Sequence, residues 1–184
     1  MLKEMWLQKM ENVQDIDFLP VNIAVLTISD TRTLENDGSG DILIKRLRDA
    51  GHILVDRAII KDEVQIIVLK LREWIENKKI DIVITSGGTG VTGRDVTPEA
   101  FAQVCEKEIP GFGELFRWIS YQKIRTSTIQ SRACAGISNG TYLFALPGSP
   151  SACKDGWDEI LKDQLDIRNK PCNLVELIPR LKEC

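Results

Sequence analysis

IDIVITSGGTGVTGRDVTPEA, residues 80–100, decides how the rest of the chain is read. It opens on IDIVITS (80–86), a β-branched and aliphatic run of the kind found in strands buried on both faces. Glycines follow at once. Thr97-Pro98 then marks a helix start, with Thr97 suited to the N-cap and Pro98 to the first helical position. A strand, a glycine loop and a helix in this order form part of a β-α-β unit.

The residues upstream supply matching pieces. VNIAVLTIS (21–29) and HILVDRAII (52–60) predict two further buried strands. DILIKRLRDAG (41–51) carries apolar residues at 42, 43, 44 and 47 and ends in glycine, the pattern of a helix with a glycine terminus. DTRTLENDGSG (30–40) reads as a polar loop. VQIIVLKLREWIENKK (64–79) places Val64, Ile67, Val68, Leu71 and Ile75 on one helical face. The order β-α-β-α-β implies a parallel sheet, whose strands share one carboxyl edge where ligands bind. Asp30, Asp62 and Gly87–Gly90 each follow a strand and are expected to converge there.

Downstream, TPEAFAQVCEKE (97–108) predicts a helix, and PGFGELFRWISYQK (110–123) a turn that becomes another. Phe112, Phe116 and Trp118 on that segment suit a subunit contact. SRACAGISNGTYLFALPG (131–148) is two strands split by Asn139-Gly140, a hairpin signal. PGSPSACKDGWDEILKDQL (147–165) is a turn leading into a helix N-capped by Ser149. The expected organisation is an N-terminal arm (1–17), a domain (18–168) and an extended C-terminal tail (169–184). The domain is a single three-layer α/β unit with a mostly parallel sheet flanked by helices and a C-terminal β-hairpin.

Bulk properties narrow the function. A chain of 184 residues, 43% hydrophobic and 28% charged, supports one soluble globular domain. A net charge of −3 gives no broad basic footprint for nucleic acid, so anionic ligands require local donors. No apolar run approaches the ~18 residues of a membrane span, and the N-terminus lacks the uninterrupted centre of a signal peptide. A cytoplasmic location is expected. The five cysteines are widely spaced with no C-x-x-C, which predicts reduced thiols. The single histidine, His52, cannot build a histidine-rich metal site and is expected to be structural.

The quoted stretch contains a literal G-x-G-x-x-G at Gly88, Gly90 and Gly93, but the context contradicts a dinucleotide fold. Such glycines belong after the first strand, with an acidic residue ~20 positions on at the end of the next strand. Here they follow the third strand. A Walker A loop is excluded because no G-K-[ST] follows. Two readings stay open on spacing alone. Gly87–Gly93 can be an ordinary turn. Alternatively Gly87, Gly88, Thr89 and Gly90 can expose successive amides as a phosphate cradle. Asp95 lies on the same loop, and a carboxylate beside a phosphate requires an intervening cation. That combination suits Mg²⁺, with Asp62 and Asp30 as further contacts.

Four motifs, TSGGTGVTGRDVTPEA, PGFGELFR, STIQSRACAG and LPGSPSAC, resemble in order and spacing the MogA/MoaB family of molybdenum cofactor biosynthesis. TISDTR, GSGDILIKRL, AGH and NKPCN look most like its MoaB branch, and the likeness covers about residues 18–175. The resemblance implies a trimer, in some members a dimer of trimers. It implies a molybdopterin adenylyltransferase that uses Mg-ATP and molybdopterin, with molybdate insertion left to a separate downstream protein. It matches Asp62 and Asp95 to the catalytic, metal-holding carboxylates. Gly87, Gly88, Thr89 and Gly90, with Ser29 and Asp30, match the nucleotide-phosphate site. Ser127, Ser131, Arg132, Pro147, Gly148 and Ser149 match segments lining the molybdopterin pocket. The rival is a carrier or scaffold that binds the pterin without catalysis.

Overall fold

A computed structural model describes residues 16–183, so most of the expected N-terminal arm and Cys184 lie outside the described residues. The elements run β1 (Asn22–Ile28), α1 (Gly38–Asp49), β2 (Ile53–Ile60), α2 (Val64–Glu76), β3 (Ile82–Ser86), α3 (Thr97–Val104), β4 (Lys107–Glu108), α4 (Pro110–Ile124), a 3-10 helix (Arg125–Gln130), β5 (Cys134–Ser138) and β6 (Thr141–Leu146). The last helix, α5 (Pro150–Gly156), continues through a π turn (Trp157–Leu161) into Lys162–Gln164.

Six strands form one sheet in the order β2-β1-β3-β6-β5-β4. β2, β1, β3 and β6 are parallel, whereas β5 and β4 are antiparallel additions at one side. The period-2 alternation of a strand assigns its side chains to the two faces. Ile23 and Val25 of β1, with Ile82, Ile84, Tyr142 and Phe144, face one core that α1, α4 and α5 cover. Ala24, Leu26 and Ile28, with Val83 and Leu143, face a second core that α2 and α3 cover. Burial of each large aliphatic chain contributes about 1.5–3 kcal/mol. The central strands are accordingly apolar until their carboxyl ends, where Thr27, Thr85 and Ser86 are buried.

Three expectations are corrected. The stretch 97–108 is not one helix: α3 stops at Val104, and Lys107 and Glu108 pair with Ile137 and Gly136 as an edge strand. The tail is not extended throughout, because Val175–Arg180 forms a 3-10 helix with Val175 buried in the first core. The aromatic residues of α4 divide: Phe112 and Phe116 are core, whereas Trp118 and Tyr121 are on the surface, 64% and 43% exposed. The hairpin at Asn139-Gly140 forms as expected, with φ of 45° and 80°.

α1 begins three residues earlier than the apolar pattern implies, because Asp37 caps it. The Gly40 N–H donates to Asp37 Oδ1 at 3.0 Å, and the Thr27 hydroxyl donates to Oδ2 at 2.8 Å. Arg57 on β2 reaches the same carboxylate at 2.8 Å and Asp41 at 2.9 Å. A side chain at Gly40 has no room, since its Cβ would lie 2.1 Å from Asp37 Oδ2. Asp37 is fully buried; burial works to raise its pKa, but Arg57, the Gly40 amide and Thr27 together hold the carboxyl below its ordinary range.

Asp37→Asn should therefore destabilise the fold by about 3 kcal/mol in urea unfolding near neutral pH, because it leaves Arg57 without its buried partner. A depressed native pKa contributes stability above the unfolded value of about 4, and that contribution is lost as the pH falls through the native pKa. The gap between wild type and variant should thus narrow as the pH falls below the unfolded value of about 4 and through the lower native one.

Candidate functional site

The strand order 2-1-3 puts a switch point beside β1, so the loops after β1 and β3 diverge and leave a crevice at the carboxyl edge. The loops are tied together by backbone. Ser29 N–H donates to Ile60 O at 2.8 Å, and Asp62 N–H to Asp30 Oδ1 at 3.4 Å. Gly87 N–H donates to Leu146 O at 3.0 Å. A Cβ on Gly148 would lie 3.1 Å from Gly87 Cα, so the turn 147–150 packs backbone against backbone on the glycine loop.

The loop conformation requires glycine at its first two positions. Gly87 has φ +107° and Gly88 has φ +63°. A Cβ at Gly87 would meet Ile28 O at 2.1 Å, and one at Gly88 would meet Thr97 Oγ1 at 2.4 Å. Thr97 does not act as the N-cap expected of it; Val96 occupies that place with no side-chain bond. Thr97 instead closes the loop, its hydroxyl donating to Gly87 O at 2.8 Å and its N–H to Gly88 O at 2.9 Å.

Asp62 and Asp95 border opposite parts of this loop. Asp62 Oδ1 is 3.1 Å from a Cβ built on Gly88, and Asp95 Oδ2 is 2.7 Å from one built on Gly90. Their environments drive them apart. Burial raises the Asp62 pKa, and the Asp30 charge adds to the rise. Burial also works to raise Asp95, but the hydroxyl and N–H of Thr92, the Gly90 amide and the charge of Arg132 hold it below its ordinary value. Thr92 is close, at 2.6 Å from its hydroxyl and 2.8 Å from its N–H.

Arg132 serves the loop itself. Its Nε donates to Gly90 O at 2.6 Å, its remaining donors reach Asp95 O and the Glu99 carboxylate, and its own N–H holds Thr89 O at 2.8 Å. Its fork is thus largely engaged by protein groups. Ser29 is similarly occupied: its hydroxyl accepts from the N–H groups of Thr31 and Arg32, each at 3.3 Å. Ser149 N-caps α5 as expected, accepting from Ala152 N–H at 3.2 Å.

Ser127, Ser131, Pro147 and Ser149 come together with Thr89 and Gly90 around a pocket of about 200 Å³, which Phe116, Ile124 and Gln130 complete. Thr89 is 2% exposed, and its hydroxyl has no partner. Of the buried side-chain atoms in that condition among the described residues, it alone belongs to a residue lining this pocket. Leaving a buried hydroxyl unpaired costs about 1–3 kcal/mol, so the arrangement suits a ligand acceptor.

No group of three His, Cys, Asp or Glu among the described residues makes a metal cage. Two carboxylates bordering one glycine loop are nevertheless the oxygen donors that suit Mg²⁺, which keeps waters and takes few protein ligands. His52 is structural, as expected: it is 5% exposed, lies tilted against Phe18 and edge-on to Trp157, and accepts from Val21 N–H at 3.3 Å. Burial lowers its pKa. The described cysteines are free, with burial pushing the thiols of Cys105 and Cys153 up to about 12.

A family profile described as "Probable molybdopterin binding domain" matches residues 24–167. The chain belongs to this family. Molybdenum cofactor biosynthesis protein B of Escherichia coli (strain K12) is 45% identical over 157 residues, covering 85% of this chain and 92% of that one. A crystal structure of molybdenum cofactor biosynthesis protein B superposes with TM-score 0.81 at 36% identity, covering 90% of this chain and 98% of that one. The tungsten cofactor synthesizing protein MoaB from Pyrococcus furiosus gives TM-score 0.73 at 31% identity, covering 89% and 98%. Among the described residues, no helix of this molybdopterin-binding-family member is long and apolar enough to cross a membrane.

Several site residues were not foreseen. Thr97 was visible only as a helix starter. Glu99, the partner of Arg132, carries no separate signal in the sequence. Asp37 was hidden in a glycine-rich stretch taken as loop, although an Asp three residues before Gly40 is a possible cap. Gly87→Ala is the sharpest test of the loop. It should lower stability by roughly 3 kcal/mol in urea unfolding, since both the positive φ and the Ile28 carbonyl oppose a side chain. Gly93→Ala, where nothing lies within 4 Å, should change little.

Proposed function

We propose that this protein works in molybdenum cofactor biosynthesis by adenylylating molybdopterin with Mg-ATP and releasing pyrophosphate. The observation that carries the reading is the pairing of Asp62 and Asp95 across one glycine loop, beside a pocket lined by Thr89, whose buried hydroxyl has no partner. Family membership supports it, since the matched profile is described as molybdopterin-binding.

In this reading the Gly88 and Thr89 amides and the Thr89 hydroxyl donate to nucleotide phosphate oxygens, whereas the Gly87 N–H is held by Leu146 O and the Gly90 amide by Asp95. Ser127, Ser131 and Gln130 donate to the polar parts of the pterin compound, and Phe116 and Ile124 form its apolar wall. The phosphate oxygen of molybdopterin forms a bond to the α-phosphorus as the bond to pyrophosphate breaks. That nucleophile is already ionised, so no general base is needed, and His52 is remote from the chemistry. Mg²⁺ held by Asp62 and Asp95 would neutralise charge on the phosphoryl oxygens and on departing pyrophosphate. Arg132 keeps the loop in shape through Gly90 and Asp95. The product would pass to a separate molybdate-insertion protein.

Self-association as a trimer, or a dimer of trimers, accompanies this proposal. The surface of α4 and the following 3-10 helix exposes Leu115, Trp118, Tyr121 and Ile129 at 41–81%. Burial between copies would remove this apolar area from water. Trp118→Glu should shift the mass measured by light scattering toward the monomer.

Incubation with molybdopterin, ATP and Mg²⁺ should yield adenylylated molybdopterin, separable by chromatography. Asp95→Asn should reduce the rate by roughly 100-fold or more while fluorescence titration still detects molybdopterin binding. Normal turnover in that variant would remove the role given to Asp95. Pterin binding with no product in the wild type would favour the carrier reading.

A further inference from the structure

Arg94 precedes Asp95 in the glycine loop, yet its side chain is directed to the neighbouring loop. Nε donates to Asp30 Oδ2 at 2.9 Å and Nη2 to Oδ1 at 2.8 Å, a two-pronged contact that closes the mouth between the loops after β1 and β3. The other carboxylates acting on the guanidinium are Asp62 and Glu63. Asp30 is in turn held at 3.4 Å from the Asp62 N–H, so the salt bridge ends beside one of the two carboxylates assigned to the metal.

Two arginines border the site, and they differ in commitment. Arg132 is bound to carbonyls of the loop and to Glu99, so its removal would release the loop. Arg94 is bound only through side chains, and the two partners are 59% and 38% exposed. An exposed ion pair of this type contributes little to stability. A polyphosphate carries more charge than one carboxylate and accepts the same fork geometry. Exchange of Asp30 for phosphate is therefore inexpensive, and it leaves the Asp30 carboxylate without its counter-ion beside Asp62.

We propose that Arg94 is a positioning residue that exchanges partners, holding Asp30 until the nucleotide polyphosphate binds and then releasing that carboxylate toward the metal. This rests on the Mg-ATP reading above. Its consequence is coupling. Metal binds weakly alone because Asp30 is occupied, and nucleotide binding supplies the missing acceptor. By reciprocity metal tightens the nucleotide by the same factor.

The test uses Mn²⁺, read by its paramagnetic resonance signal, and an α,β-methylene ATP analogue, each titrated alone and together. Wild type should show weak Mn²⁺ binding alone and much tighter binding with the analogue. Arg94→Ala should bind Mn²⁺ alone several-fold tighter and the analogue about 10-fold more weakly, with the coupling reduced. Arg94→Lys should fall between, since an ammonium supplies the charge without the fork. The decisive control is the Asp30→Asn background, in which Arg94→Ala should no longer tighten Mn²⁺. Equal tightening there would mean simple charge repulsion and would overturn the exchange, as would unchanged or weaker Mn²⁺ binding in Arg94→Ala. A wild type that binds metal and nucleotide with an indifferent Arg94→Ala overturns only this inference. A wild type that binds neither overturns the Mg-ATP reading as well.

Discussion

Two hydrogen bonds from Thr97 hold the glycine loop in its turned form. The hydroxyl takes Gly87 O and the N–H takes Gly88 O, so both carbonyls are drawn inward toward the start of α3. With its carbonyls occupied, the segment can turn its other polar groups toward a ligand. The positive φ angles at Gly87 and Gly88 are the local cost of this turn, and only glycine adopts them without strain. The position of Asp95 follows from the same closure, because Asp95 lies between the loop and Thr97 and is fixed by Thr92. Arg132 then joins the loop to the segment before β5, bringing Ser127 and Ser131 to the pocket.

Beneath the loop, the sheet is polar where a purely structural sheet would be apolar. Thr27 and Ser86 approach within 3.5 Å, and Ser86 reaches Ser39 at 3.4 Å. Thr27 is also bonded to the buried Asp37, which Arg57 neutralises. This network anchors the N-terminus of α1 directly behind the site. The Asp37 carboxylate and the hydroxyls of Thr27, Ser39 and Ser86 are hydrogen-bonded together, which favours one arrangement, although Arg57 Nε is left without a partner. The binding groups above it thus sit on a floor with little freedom to rearrange.

The parts of the fold that depend on periodicity were legible in the sequence. β1, β2, β3 and α2 follow from continuous or helically spaced apolar residues, and the hairpin follows from Asn139-Gly140. Elements decided by long-range contacts were not. Lys107–Glu108 has no strand signature; it pairs because β5 offers an edge and Gly136 leaves room for Cys105, whose Sγ would lie 2.4 Å from a Cβ there. The tail turns because Leu174 O accepts the Tyr142 hydroxyl at 3.1 Å and Asn173 bonds back to Ile167 and Asn169, contacts unrelated to local pattern. Asp62 was readable as a strand-end carboxylate and Asp95 as a carboxylate further along the glycine loop, whereas the Arg94–Asp30 and Arg132–Glu99 pairs span 64 and 33 residues and leave no mark in spacing.

The opposed pKa directions at Asp62 and Asp95 also bear on how two similar carboxylates divide their work. Asp95 accepts Thr92 and is supported by Arg132, so its charge is stabilised by the protein alone. Asp62 is partly buried with Asp30 as a neighbour of the same sign, so its charge lacks a comparable local partner. A cation near both gains more from Asp62, whose ionised form is the less satisfied, while Asp95 supplies an acceptor already oriented. The two carboxylates therefore set an electrostatic deficit at Asp62 against a preset geometry at Asp95. No set of three His, Cys, Asp or Glu ligands among the described residues encloses a metal, so the contrast between these two aspartates is what the glycine loop itself presents.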